Sequence, residues 1–103
     1  LAPPRGVLGQ VVAMEVLLEN ATPASVEYLV EAQPSELFLL AGYKSVKARV
    51  LPRSSLRIAF NLLPVTVGLL RPPLILLKWK KEGQDVQQAA TTPRVFIQPP
   101  ALT

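Results

Sequence analysis

Two pairs of glutamates are the residues whose type and spacing come closest to a catalytic arrangement. Glu15 and Glu19 form the first pair, and Glu27 and Glu31 form the second. Two carboxyl groups can act as general acid and base when they flank the same reacting bond. In an extended strand, however, residues four positions apart share a face but lie about 13 Å from each other. No nucleophile accompanies either pair, so we predict no catalytic residues.

The residue types that are missing exclude several further chemistries. The chain contains no Cys and no His, which excludes thiol catalysis, Ser-His-Asp triads, zinc fingers and iron–sulfur sites. Its glycines do not follow the spacing of a phosphate-binding loop. We therefore predict that the chain is not an enzyme and that it needs neither a cofactor nor a metal.

Asn20, Ala21 and Thr22 match the sequence that accepts N-linked glycans. Pro23 follows directly and disfavours the modification. Asn and Thr side chains bond to nearby backbone groups in turns, and Pro cannot continue a strand ladder. We interpret this segment as a turn between two strands.

Trp79 lies between Lys78 and Lys80, the one place where an aromatic residue is interleaved with basic ones as in single-strand nucleic-acid binding. In a strand the two lysines would point away from the indole. We therefore expect Trp79 in the core beneath a solvated basic edge, and no nucleic acid among the partners. A membrane-surface module using these lysines with Lys81 and Arg94 is a further alternative.

The charges are unevenly distributed along a chain whose net charge is +4. Five of the seven acidic residues precede residue 41, and ten of the eleven basic residues follow residue 43. This asymmetry indicates either a basic binding face or acidic strands that lie beside basic ones in a sheet. We favour the second interpretation, in which Glu27 or Glu31 would face Arg57.

The elements that position these side chains follow a period of two, interrupted by many of the eleven prolines. The most regular apolar face contains Leu56, Ile58, Phe60 and Leu62. The pattern predicts seven short strands, at residues 11–19, 25–32, 36–40, 44–51, 56–62, 74–80 and 94–98. The polar residues 81–92 are predicted to form a loop.

Seven short strands separated by regular turns predict an all-β fold, an immunoglobulin-like antiparallel β-sandwich of about seven strands. Residues 1–103 are enough for one domain. Because the sequence begins at Leu, we expect this domain to be a fragment of a longer chain. We expect the exposed sheet edge to be the first or the last predicted strand.

Residues 35–99 carry a familiar succession of Pro and Gly turns between apolar strands. It includes Phe38 and Gly42, Leu51-Pro52, Asn61-Leu62-Leu63-Pro64, Gly68, Pro73-Leu74, and Val95-Phe96-Ile97 followed by Pro99. This succession resembles the carboxy-terminal gryzun-type domain of the large subunits of the transport protein particle (TRAPP), closest to subunit 11. The LRPP segment and the polar segment GQDVQQAATT depart from the family pattern.

The resemblance implies an immunoglobulin-like scaffold domain without an active site, in a vesicle-tethering complex of endoplasmic-reticulum-to-Golgi traffic and autophagy. Its partners would be other subunits of the complex. Its location would be cytoplasmic and peripheral to Golgi or ER–Golgi intermediate membranes, with any membrane association made through the complex. The alternative is a cell-surface or secreted immunoglobulin-like or fibronectin-like adhesion domain.

Overall fold

The structure is a computed structural model that describes residues 4–90 and 92–101. Within these residues the chain forms ten β-strands and no helix, which confirms the predicted all-β class. The strands are β1 (Arg5–Val7), β2 (Val12–Asn20), β3 (Val26–Ala32), β4 (Phe38–Leu40), β5 (Ser45–Val50), β6 (Ser54–Pro64), β7 (Gly68–Leu70), β8 (Ile75–Lys81), β9 (Gln84–Ala90) and β10 (Val95–Gln98).

The described strands form three sheets, with strand orders β2-β6-β4, β5-β3-β8-β9 and β1-β10-β7. All neighbouring strands are antiparallel except β1 and β10, which are parallel. The long strand β6 pairs with β2 along its whole length, from Val12 opposite Leu62 to Asn20 opposite Ser54.

A single hydrophobic core joins the inner faces of the sheets, as expected for a β-sandwich. Alternate residues of β2, β3, β5 and β6 point into it, because successive side chains of a strand point to opposite faces. Its buried apolar side chains are Met14, Val16, Leu18, Tyr28, Val30, Ala32, Phe38, Ala48, Val50, Ile58, Phe60, Leu62, Leu70, Ile75, Val95 and Ile97. Of the most regular apolar face that the sequence predicts, Ile58, Phe60 and Leu62 are buried, but Leu56, near the start of β6, is exposed.

The prediction of a loop at residues 81–92 is wrong. Residues 84–90 form β9, which pairs with β8 from Lys81 opposite Gln84 to Ile75 opposite Ala90. Glu82 and Gly83 connect the two strands, and both have positive φ angles, 53° and 79°. Such a two-residue turn suits the right-handed twist of a hairpin. The residue types do not predict this strand because neither face is consistently apolar: Val86 and Ala90 share one face with Gln84 and Gln88.

Two other expectations about strand neighbours are also wrong. β3 pairs with β5 and β8 rather than with β6, so Glu27 and Glu31 do not face Arg57. The last strand, β10, lies between β1 and β7 and is therefore not a sheet edge. β2, in contrast, is an edge strand as expected.

Candidate interaction surfaces

The four glutamates of the two conceivable catalytic pairs lie on outward faces of β2 and β3. Glu15 contacts Arg57 on the neighbouring strand β6, with 3.7 Å between Oε2 and Nη1. Glu31 contacts Lys78 on β8, with 2.8 Å between Oε1 and Nζ. Both carboxylates therefore have basic cross-strand partners, and the structure brings no two of the four glutamates together as a reactive pair.

The strand pairing accounts for the uneven charge distribution along the chain. The acidic strand β2 lies beside β6, which carries Arg57. The acidic strand β3 lies between β5 and β8, and Glu27 stands directly opposite Arg49. The interpretation of acidic strands beside basic ones is confirmed, although the predicted partner of Arg57 was wrong. Such exposed pairs contribute at most about 1 kcal/mol each.

The basic residues considered for membrane binding do not form one surface. Lys78 and Lys80 share the outer face of β8, whereas strand alternation places Lys81 on the opposite face with Trp79. Arg94 precedes β10, which belongs to another sheet. Trp79 itself is half-buried and packs against the core, with its ring centroid 5.4 Å from that of Tyr28.

The amide of Asn20 is buried, although its sequence matches the glycosylation signal. Its Nδ2 donates hydrogen bonds to the carbonyls of Ala24 (2.8 Å), Val50 (3.1 Å) and Leu51 (3.2 Å). Its Oδ1 accepts from the backbone N–H and the hydroxyl of Thr22. The amide therefore connects the turn after β2 to the end of β5. Because its nitrogen and oxygen are both engaged in these hydrogen bonds, the side chain is not accessible for attachment of a glycan. This geometry supports the interpretation of the segment as a turn.

Replacing Asn20 by Ala is expected to lower the free energy of unfolding by about 2–4 kcal/mol. The change removes the hydrogen bonds that the amide makes to Thr22, Ala24, Val50 and Leu51, and a typical one contributes about 0.5–1.5 kcal/mol. Urea unfolding of the variant and of Asn61→Ala, an exposed residue of β6, measures the effect. Equal midpoints for the two variants would contradict a structural role for Asn20.

The open edge of β2 is the longest exposed strand edge among the described residues. The carbonyl of Asn61 accepts a hydrogen bond from the N–H of Ala41. The backbone N–H and C=O of Asn61 therefore point toward β4, and those of Leu62 point toward β2. In an antiparallel ladder this direction alternates. The residues of β2 that bond to β6 are therefore Val12, Met14, Val16, Leu18 and Asn20. The residues between them direct their N–H and C=O groups away from the sheet.

Along this edge, Glu15, Leu17 and Glu19 are exposed, and no described strand pairs with them. Natural proteins protect strand edges with charged side chains, especially Lys, with Pro or with bulges. The edge strand β2 contains no Lys, Arg or Pro between Val12 and Asn20, and its charged side chains are the two carboxylates of Glu15 and Glu19. The edge is therefore available for pairing with a strand of another protein.

A second exposed surface lies on the β1-β10-β7 sheet. Phe96 stands opposite Leu69, and both side chains are exposed. The guanidinium of Arg5 lies 5.6 Å from the centre of the Phe96 ring, which is a cation–π contact. This surface combines apolar area with a charge, as interface residues often do.

The described residues hold no group of three acidic side chains that could bind a metal ion. In the part of the chain that the structure covers, no helix is long and apolar enough to cross a membrane.

The fold and its exposed edges define an immunoglobulin-like β-sandwich whose notable surfaces are suited to contacts with other proteins. A family model described as "Gryzun-like: TRAPPC11 C-terminal domain" matches residues 1–99, and the chain belongs to this family. The resemblance inferred from residues 35–99 is thus confirmed, and the match includes the polar segment that departs from the family pattern. No curated protein matches the chain.

Membership of this family makes the chain a domain of a TRAPP-complex subunit, with a connection to vesicle transport and to Golgi or ER–Golgi membranes. The family is not a class of enzymes, and it implies association with other subunits.

Proposed function

We propose that this domain is a non-enzymatic scaffold module, part of a longer vesicle-tethering subunit, and that it binds neighbouring subunits through the open edge of β2. The observation that carries the proposal is the row of outward-directed backbone groups at Glu15, Leu17 and Glu19. A partner strand that pairs with this edge gains main-chain hydrogen bonds, while its side chains supply specificity.

The family gives the biological setting of the proposal. The domain would act in endoplasmic-reticulum-to-Golgi traffic and autophagy, on the cytoplasmic side of Golgi or ER–Golgi intermediate membranes. The domain would contribute binding energy and would fix the relative positions of the subunits. Membrane association is then made through the assembled complex. The buried amide of Asn20 gives no support to the alternative of a glycosylated adhesion domain.

The test is recovery of the complex with a tagged parent subunit, with and without this domain. Deletion is expected to lower the recovery of the other subunits by about tenfold, the change that a loss of 1.4 kcal/mol of binding free energy produces. The matched control is Glu19→Lys in the intact subunit, which is expected to retain recovery because one exposed charge contributes little. Unchanged recovery after deletion would contradict the proposal.

A further inference from the structure

A cleft of about 840 Å³ opens between β3 and the β8–β9 hairpin. Its volume lies in the range of roughly 300–1,000 Å³ that is usual for binding sites. Residues from both faces of the sheet line the cleft, including Glu27 and Tyr28 of β3 and Trp79 and Lys80 of β8. The cleft therefore opens between two strands rather than on one face of the sheet.

The two strands separate because their hydrogen-bonded ladder ends early. β3 and β8 pair from Ala32 opposite Ile75 to Leu29 opposite Lys78. Beyond that pair, β3 continues to Val26, paired only with β5, and β8 continues to Lys81, paired only with β9. The cleft is thus walled by two strand edges that face each other.

The register identifies the backbone groups that line these edges. The N–H of Gln33 donates to the carbonyl of Leu74 at 2.8 Å, so the odd-numbered residues of β3 direct their backbone groups toward β8. By the alternation of an antiparallel ladder, Glu27 directs its N–H and C=O into the cleft. By the same argument, the N–H and C=O of Lys80 on β8 point into the cleft opposite Glu27.

The inner side of the cleft is aromatic and apolar. Tyr28 and Trp79 pack with their ring planes at 59°, and Val26 and Val86 lie beside them. Trp79 is only half-buried, so part of its indole is free to contact a ligand. Partly exposed aromatic rings of this kind supply large contact area at small entropic cost.

The outer side of the cleft carries charged side chains of both signs. The charged side chains that line it are Glu27, Lys47, Lys78, Lys80 and Asp85. Lys78 is already paired with Glu31 on the same face. Among the described residues, neither Lys47 nor Lys80 has a carboxylate within 4.0 Å. Asp85 stands opposite Lys80 on β9, but it makes no ion pair with it, so both ammonium groups can bind an acidic side chain of a ligand.

We propose that this cleft binds an extended peptide of a partner protein, inserted as a strand between β3 and β8. Large apolar side chains of the peptide contact Tyr28 and Trp79, and the alternate, acidic side chains face Lys47 and Lys80. Because the two walls are antiparallel, the peptide is parallel to one wall and antiparallel to the other. This site lies on a different sheet from the open edge of β2 and does not depend on the scaffold contact proposed there.

The test uses the full chain and a capped hexapeptide that alternates glutamate with leucine and phenylalanine. Trp79 is the only tryptophan, and its emission is expected to shift to the blue and to saturate with peptide concentration. Amide hydrogen exchange is expected to slow at Glu27 and Lys80, whose groups gain partners. Exchange at Glu31, which is already paired with β8, is expected to stay unchanged.

Two controls separate strand insertion from other modes of binding. A peptide methylated at alternate backbone nitrogens is expected to bind about tenfold more weakly or worse, because it lacks the donors that pair with the walls. Charge reversal of Lys47 and Lys80 together is expected to weaken binding by about tenfold, whereas reversal of the exposed Lys44 and Arg71, outside the cleft, leaves affinity unchanged.

Three results would overturn the proposal. The first is equal affinity for the methylated peptide, which would exclude backbone pairing. The second is slowed exchange at Leu17 instead of Glu27 and Lys80, which would place the peptide at the edge of β2. The third is a response of Trp79 to vesicles of anionic lipid or to an oligonucleotide but not to the peptide, which would indicate a general anion site.

Discussion

Phe60→Ala is expected to lower the free energy of unfolding by about 3–5 kcal/mol, the usual cost of truncating a fully buried Phe. The ring lies in the middle of β6 and is fully buried. Its neighbour Tyr43 packs edge-on against it, with 5.4 Å between ring centroids. The hydroxyl of Tyr43 donates to the carbonyl of Ala59, which anchors the tyrosine beside the Phe60 ring.

The measurement is equilibrium unfolding in urea, followed by the emission of Trp79, which lies in another sheet and is not altered directly by the change. Phe96→Ala is the matched control, because Phe96 is 38% exposed and its ring makes a cation–π contact with Arg5. We expect that variant to lose about 1 kcal/mol. A loss below about 1 kcal/mol for Phe60→Ala would mean that β6 presents its other face to the core.

The strands that the sequence predicts well are those with one buried and one solvated face. In β2, β3 and β5, buried and exposed positions alternate almost without exception, so a period of two is visible in the residue types. The three-residue strands β1 and β7 are too short to show any period. Both strands depend on pairing with β10, which for β1 lies at the other end of the sequence. The residue types of a short segment do not indicate such a partner.

The candidate surfaces depend on strand order, which a single sequence does not reveal. Nothing in the residues of β10 distinguishes a strand with neighbours on both sides from an edge strand, and the expectation of an edge there was wrong. The cleft beside Trp79 arises from the point at which the β3–β8 ladder ends. The polar strand β9 forms part of its wall, although its residue types predict a loop. A Glu-Gly pair after an apolar strand was the one signal that could have revealed the hairpin.

Proline substitutions at two adjacent residues of β2 are expected to separate the stability of the domain from its binding. The N–H of Val16 points to β6, and its side chain is 8% exposed; the N–H of Leu17 points away from the sheet, and its side chain is 51% exposed. Val16→Pro removes a ladder hydrogen bond and a core side chain, so we expect a loss of about 3 kcal/mol or more. Leu17→Pro is expected to retain the fold, because an edge strand tolerates Pro where its N–H faces solvent.

Only the folded Leu17→Pro variant tests the binding edge, since it removes one outward-facing donor and leaves the ladder with β6 intact. We expect recovery of the partner subunits to fall with Leu17→Pro and to persist with Leu17→Ala, which shortens the side chain but keeps the N–H. Circular dichroism and a urea midpoint for each variant establish that both are folded before the comparison. Equal losses with both substitutions would assign the contact to the leucine side chain. Retained recovery with Leu17→Pro, together with loss of recovery after charge reversal at Glu15 and Glu19, would contradict backbone pairing. The binding energy would then come from the acidic side chains of an electrostatic surface and not from the backbone groups of the edge.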